Sequence, residues 1–166
     1  FESAGMSGAN LEPKTDYTLV TVGFDSFGTV CDVRKAEFTT PAIPLVGDPQ
    51  VAVELVDVQK FEFTLKFTPN ADVSKYAYVA GAVGELEAQY AQFAPMFGFG
   101  NMGEMIAMWG VPCEGETEFT WTSMQPGTDY EVFIQAYDAA GTMADYQVYT
   151  LTTESLGGEG EANVTI

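Results

Sequence analysis

Leu11-Glu-Pro-Lys-Thr-Asp-Tyr17 and Met124-Gln-Pro-Gly-Thr-Asp-Tyr130 open two copies of one stretch. LEPKTDYTLVTVGFDSFGTVCDVRKAEFTT (11–40) lies without a gap on MQPGTDYEVFIQAYDAAGTMADYQVYTLTT (124–153), at a constant offset of 113 (124 − 11). Ten of the thirty positions are identical, among them Pro13 with Pro126, the Thr-Asp-Tyr triplets, Asp25 with Asp138, Gly28-Thr29 with Gly141-Thr142 and the closing Thr-Thr pairs. The same offset carries Gly47 onto Gly160 and Val51-x-Val53 onto Val164-x-Ile166. A fixed offset of this size marks an internal repeat and sets the organisation before any local element is read. The chain is expected to hold the end of one unit (1–42), one entire unit (43–154), and a linker with the first strand of a third (155–166).

Within the entire unit the signals are those of short strands. Val51 to Val58 is rich in Val and Leu, and Phe61-Glu-Phe-Thr-Leu-Lys-Phe67 alternates strictly, which places Phe61, Phe63, Leu65 and Phe67 on one face. Thr68-Pro69-Asn70 is a turn, Lys75 to Ala80 a third strand, and Glu118 to Thr122 alternates again with Phe119 and Trp121 inward. Tyr130 to Asp138 turns Tyr130, Val132, Ile134 and Ala136 to one side, and a last strand follows near Tyr146 to Leu151. Short strands of this kind predict an antiparallel sandwich from about Pro44 to Glu154, with Phe61, Phe63, Leu65, Phe67, Trp121, Tyr130, Val132 and Ile134 buried together.

The run Met124 to Tyr130, the alternating residues behind it, Asp138-x-x-Gly141 and the closing Thr152-Thr153 resemble the last third of a fibronectin type III domain. That family's L-x-P-x-T-x-Y stretch leads into its strand F through a tyrosine corner, a Tyr hydroxyl bonded back to upstream backbone. The resemblance gives that role to Tyr130 and Tyr17. It covers about 30 residues twice and departs from the family pattern in two ways: the strand-B Trp is missing, with Phe63 or Leu65 nearest, and a long insertion separates strands C and E. The implied fold is mainly β, an antiparallel Ig-like, fibronectin type III-like sandwich with a two-helix insertion, preceded by the C-terminal strands of another such unit. Similar variant modules occur in tandem in secreted or lipid-anchored surface proteins of Gram-negative gut bacteria. The resemblance therefore implies an extracytoplasmic, non-catalytic module serving as spacer or as adhesion domain for a protein or glycan. The alternative is an accessory domain of a larger secreted hydrolase.

The insertion, about 84–112, is the distinctive part. Leu86, Tyr90, Phe93 and Ala94 follow helical spacing, and Pro95 is expected to end or kink that helix. Asn101 is an N-cap with Glu104 three residues on, and Met102, Met105, Ile106 and Trp109 form the stripe of a second helix that stops at Gly110 and Pro112. Both stripes are expected to pack as extra core, because burying each large apolar side chain is worth roughly 1.5–3 kcal/mol and short helices do not persist without it. Met96 and Met108 fall to the side of the stripes and Phe99 sits on a loop tip; with Trp109, itself a core residue by its spacing, they make the expected apolar binding patch.

Composition narrows the chemistry. With 46% apolar and 18% charged residues the chain can pack a core, and no apolar run approaches the roughly 20 residues of a membrane span. A net charge of −18 repels nucleic acid and anionic lipid. The absence of histidine removes the usual general base and zinc ligand. Phe1 has no secretory n-region behind it, so a targeting segment is expected to be removed or to lie upstream. Cys31 and Cys113 share no motif spacing and are taken as free thiols. Asp-x-x-Gly-Thr-x-x-Asp, at 25–32 and 138–145, lacks the alternating ligands of a calcium loop and reads as a tight turn. Glu114, Glu116 and Glu118 read as one solvated strand face, and Asn163-Val-Thr165 as a strand start rather than a glycan acceptor. No cofactor, metal or catalytic residue is expected. Positions 76–166 carry thirteen acids and no base, a charge that keeps a surface soluble or steers a cationic partner. Residues 1–42 cannot close a core alone, so their hairpin is expected to be completed by another copy of the chain, giving a homo-oligomer, or to dock on the whole domain.

Overall fold

The computed structural model describes residues 11 and 13–157, and the chain divides into two units, Phe1–Pro44 and Leu45–Ile166. The expected third-unit strand, Val164 to Ile166, and the Asn163 motif lie outside the described residues.

The second unit is an antiparallel fibronectin type III-like β-sandwich with a helical insertion. One sheet has the order β3 (Val51–Val58), β4 (Glu62–Pro69), β7 (Thr117–Thr122); the other runs β6 (Val111–Cys113), β5 (Lys75–Ala82), β8 (Asp129–Tyr137), β9 (Gln147–Thr152). Register follows the alternation in the sequence. Phe63, Leu65 and Phe67 stand opposite Trp121, Phe119 and Thr117, so one face of β4 and β7 is apolar except at Thr117, where β7 begins. Tyr78 and Ile134 pair across β5 and β8 on the facing sheet. Between the sheets Phe63, Leu65, Phe67, Val132 and Ile134 have no solvent exposure, Phe67 stacks on Tyr78 with ring centroids 4.3 Å apart, and Phe63 stacks on the half-buried Trp121 at 5.0 Å.

Three expectations need correction. Phe61 is exposed: β4 begins one residue later, and Phe61 lies in the bend closed by the Gln59 N–H donating to the Glu62 carbonyl. Glu114, Glu116 and Glu118 do not share one strand, because β6 ends at Cys113 and β7 starts at Thr117; Glu116 instead bonds Lys66 Nζ at 3.0 Å and Thr68 Oγ1 at 3.1 Å. Of the two outcomes expected at Pro95, an end or a kink, the end does not occur: the first helix, α1, spans Glu85–Phe97. Pro95 sits in the last turn, and termination comes at Gly98, whose φ of 76° only glycine adopts without strain and whose N–H reaches Ala94 O. The insertion occupies the β5-to-β6 connection, and short β6, which Pro112 masked in the sequence, returns the chain to β5.

The first unit is a hairpin of β1 (Asp16–Phe24) and β2 (Val30–Thr39). It repeats the turn and strand-end bonds of the β8–β9 hairpin. Asp25 Oδ1 accepts from Phe27 N and Thr29 N at 2.8 and 2.9 Å, as Asp138 Oδ1 does from Ala140 N and Thr142 N at 2.9 and 2.7 Å. Gly28 and Gly141 hold φ of 82° and 81°. Thr40 Oγ1 accepts from Thr15 N at 2.9 Å and Thr153 Oγ1 from Thr128 N at 3.1 Å. Asp25, Gly28, Thr29, Thr15 and Thr40, identical in the second copy, are residues that make the turn and clasp the strand ends. These aspartates serve as turn acceptors, the role read from their spacing.

Candidate functional site

The helical insertion lies on the outer face of the four-stranded sheet. Helix α1 carries Leu86, Tyr90 and Ala94 inward, and α2 (Met102–Trp109) carries Met102, Met105 and Ile106; these close on Phe133 of β8 and Val79 of β5 as a second core. The second helix is capped as its sequence predicts: Asn101 Oδ1 accepts from Glu104 N at 3.1 Å. The Glu104 carboxylate reaches back to the N–H of Gly100 at 2.8 Å, one residue before the cap. Each helix thus has an inner stripe that fixes it, and what remains outside is available for recognition.

Of the residues expected to form the patch, Met96 and Met108 are exposed, at 74% and 62%; Phe99 is not, retaining 9%. Its place on a glycine-flanked loop suggested a tip, but the left-handed turn at Gly98 folds its ring back under the helices. There it stacks on Phe97 with centroids 5.6 Å apart and meets the edge of Trp109 at 5.6 Å. Trp109 is half-buried, within 5.8 Å of Phe97 and 5.5 Å of Phe93. The exposed ring is Phe97, at 52%. The helical spacing does not reach Phe97, since it runs out at Ala94 before Pro95; the signal for it is Gly98, a C-cap glycine one residue after Phe97.

Phe97, Gly98, Phe99, Glu104, Ala107, Met108, Tyr137 and Met143 line an open groove of about 420 Å³. Two of the four expected patch residues, Phe99 and Met108, are thus brought together there; Met96 and Trp109 are not in its walls. Tyr137 and Met143 come from β8 and the loop after it, brought together by the bridge between these two residues. Burial, with the Glu104 charge adding to it, pushes the Tyr137 phenol above its ordinary value, and Lys75 Nζ lies 4.7 Å from its ring centroid. The groove therefore has a neutral floor with one carboxylate at its rim, already engaged by backbone. A lining of this kind suits stacking and apolar burial.

The tyrosine corner is formed at Tyr130, whose hydroxyl accepts from Gln125 N at 2.8 Å. Tyr17 is half-buried and stacks on Phe38 at 5.8 Å; the residue that matches Gln125 is position 12, outside the described residues. Among the described residues no three His, Cys, Asp or Glu side chains converge as a metal site, Cys31 and Cys113 are unbridged, and no helix is long and apolar enough to cross a membrane.

No protein-family model and no curated protein sequence matches the chain. Solved structures do. A computationally redesigned β-sandwich protein aligns at TM-score 0.44 and 14% identity, covering 68% of this chain and 100% of that one. The two-domain fibronectin type III segment of chicken tenascin aligns at TM-score 0.41 and 18% identity, covering 87% and 68%. Domains FN1–FN3 of chicken CNTN1 align at 0.37 and 14%, covering 87% and 45%. The fold assignment rests on the strand order and register of the chain itself.

Proposed function

We propose that this chain is a non-catalytic repeat module of a secreted or surface-anchored protein, of the kind found in Gram-negative gut bacteria, and that it binds a protein partner through the outer side of its helical insertion. The observation that carries the reading is the pairing of exposed Phe97 and Met108 over a groove whose floor is fixed by buried Phe99 and half-buried Trp109. A soluble domain places large apolar side chains outside at little benefit to its own folding, and here they stand on a rigid aromatic base, so little side-chain entropy is lost on binding. Methionine beside aromatic rings suits a protein surface, because it re-packs around differing contacts. The rest of the domain, a closed sandwich, serves as the spacer that holds this face away from its attachment.

Replacing Met96, Phe97 and Met108 together with Ser tests it. Peptides selected against the 166-residue chain from a displayed library should lose at least ~10-fold in affinity for the variant, a small part of what truncated anchor residues cost. The thermal midpoint should move little. Selected peptides that bind the variant undiminished would refute the site, and selection of glycans but no peptides from parallel arrays would refute the partner class.

A further inference from the structure

The N-terminal hairpin carries an apolar strip on the side that faces outward in an ordinary sandwich. In β8, Tyr130, Val132, Ile134 and Ala136 face the main core, while Phe133 and Gln135 on the other side are buried by α1 and α2. The matched turn and strand-end bonds of the two hairpins, and their shared register from Asp16↔Thr39 and Asp129↔Thr152 onward, make the offset of 113 a structural correspondence, so β1 can be read in the same terms. Tyr17, Leu19, Thr21 and Gly23 take the inner positions. Val20, Val22 and Phe24 take the outer ones, in place of Phe133, Gln135 and Tyr137. All three are exposed, Phe24 at 62%. Val22 pairs with Val33, which stands where Tyr146 lies 5.7 Å from Phe133. A strand covered on one side only alternates apolar with polar; β1 is apolar on the second side too, at two positions that are buried beneath the insertion in β8 and at a third, Phe24, that matches the half-buried Tyr137 of the groove wall.

We infer that the hairpin is the closing pair of a second insertion-bearing unit, and that its outer face is covered by a two-helix insertion belonging to polypeptide of the same repeat on the N-terminal side of the hairpin. This deepens the domain reading above: the helices belong to the repeat and are not an accident of one copy, so the binding face would recur along the array. The same correspondence gives the β1 edge a β5-like strand, with Phe24 to Tyr17 in the places of Tyr137 to Tyr130 against Lys75 to Ala82. It also gives the Asp25 carboxylate a counterpart of the N–H that Asp138 Oδ2 takes, at 2.8 Å, from Val46 in the segment before β3.

The test grafts residues 45–125 in front of Pro13 of the full chain, which joins Gln125 to Pro13 at the matching position. Amide exchange in β1 should slow by ~100-fold or more relative to the ungrafted chain, as expected for a strand moved from local to global opening. In the graft, Val20→Ser, Val22→Ser and Phe24→Ser together should abolish that protection; in the 166-residue chain they should leave the midpoint of the complete unit unchanged. A graft that protects β1 equally with the three serines present would overturn the helical cover, as would a 166-residue chain that protects β1 by dimerising. Should the graft not fold, the sequence upstream of Phe1 decides: two amphipathic stripes matching 85–109 at the repeat offset support the inference, and their absence there overturns it. Loss of peptide binding at the groove bears on the proposed function alone and leaves these readouts untouched.

Discussion

Gly103→Ala should destabilise the domain, although alanine is the better helix former. Gly103 is in the first turn of α2, where the helix presses on β8: a β-carbon there would sit 2.1 Å from Gln135 Oε1 and 3.0 Å from Asn101 Oδ1. The Gln135 amide is the far end of a side chain, and elsewhere it would swing aside. Here it is buried, with Nε2 donating to the carbonyls of Ala136 at 2.9 Å and Ala144 at 2.8 Å. Moving it forfeits those bonds, a net of roughly 0.5–1.5 kcal/mol each. Lifting α2 instead costs about 1–3 kcal/mol, as overpacking does. Against this stands a gain of about 1 kcal/mol from removing a helical glycine. The balance is a loss of up to about 2 kcal/mol, a drop of up to roughly 8 °C in the thermal midpoint of a unit this size. Thermal unfolding followed by circular dichroism measures it. On a Gln135→Ala background the 2.1 Å clash is gone and only the tighter-than-usual contact with Asn101 Oδ1 at 3.0 Å remains, so the same substitution should cost much less or be neutral. A rise in midpoint in the wild-type background, or an equal fall in both, would refute the account of why this helix lies so close to the sheet.

Other outcomes follow from single groups. Tyr130→Phe removes the acceptor of the Gln125 N–H and should cost ~1 kcal/mol in urea unfolding, with the loss confined to the complete unit. Burial, and then the neighbouring Cys113, raises the Tyr76 and Tyr78 phenols above their ordinary value of 10.0, so the stability they contribute is intact below that pH. It should fall as the pH rises past 10.0, where the unfolded chain ionises and the folded one does not; ultraviolet titration should show two phenols ionising only with unfolding. Asp138 is the opposite case: the Val46 N–H first, then those of Thr142, Ala140 and Gly141, lower its pKa against the opposing effect of burial. Its contribution is complete above the ordinary carboxylate range and lost as pH falls through the lowered folded value. The stability gap to Asp138→Asn should therefore narrow in acid, and a gap that stays constant or widens would contradict the assignment.

The sandwich was legible because period-2 alternation in β4, β7 and β8 records which face is buried, and because the repeated Asp, Gly and Thr positions are consumed by turn and clasp hydrogen bonds that tolerate little else. Phe61 was misread for a local reason: alternation does not say where a strand begins, and the Gln59 bend intervenes. The groove was half legible. Helical stripes identify what faces the sheet, but whether a ring just past a helix end is buried depends on which way the chain leaves, and one left-handed residue, Gly98, turns Phe99 inward and leaves Phe97 exposed in exchange. That exchange strengthens the binding reading. Had Phe99 stood free on a mobile tip, fixing it would have offset much of what its burial against a partner contributes. With Phe99 buried beneath Phe97 and edge-on to Trp109, the exposed ring is held before any partner arrives. Phe99→Ala should therefore weaken peptide binding even though Phe99 is almost wholly buried, and should do so beyond its effect on unfolding; binding preserved at full strength in a folded Phe99→Ala protein would show that the base of the groove plays no part.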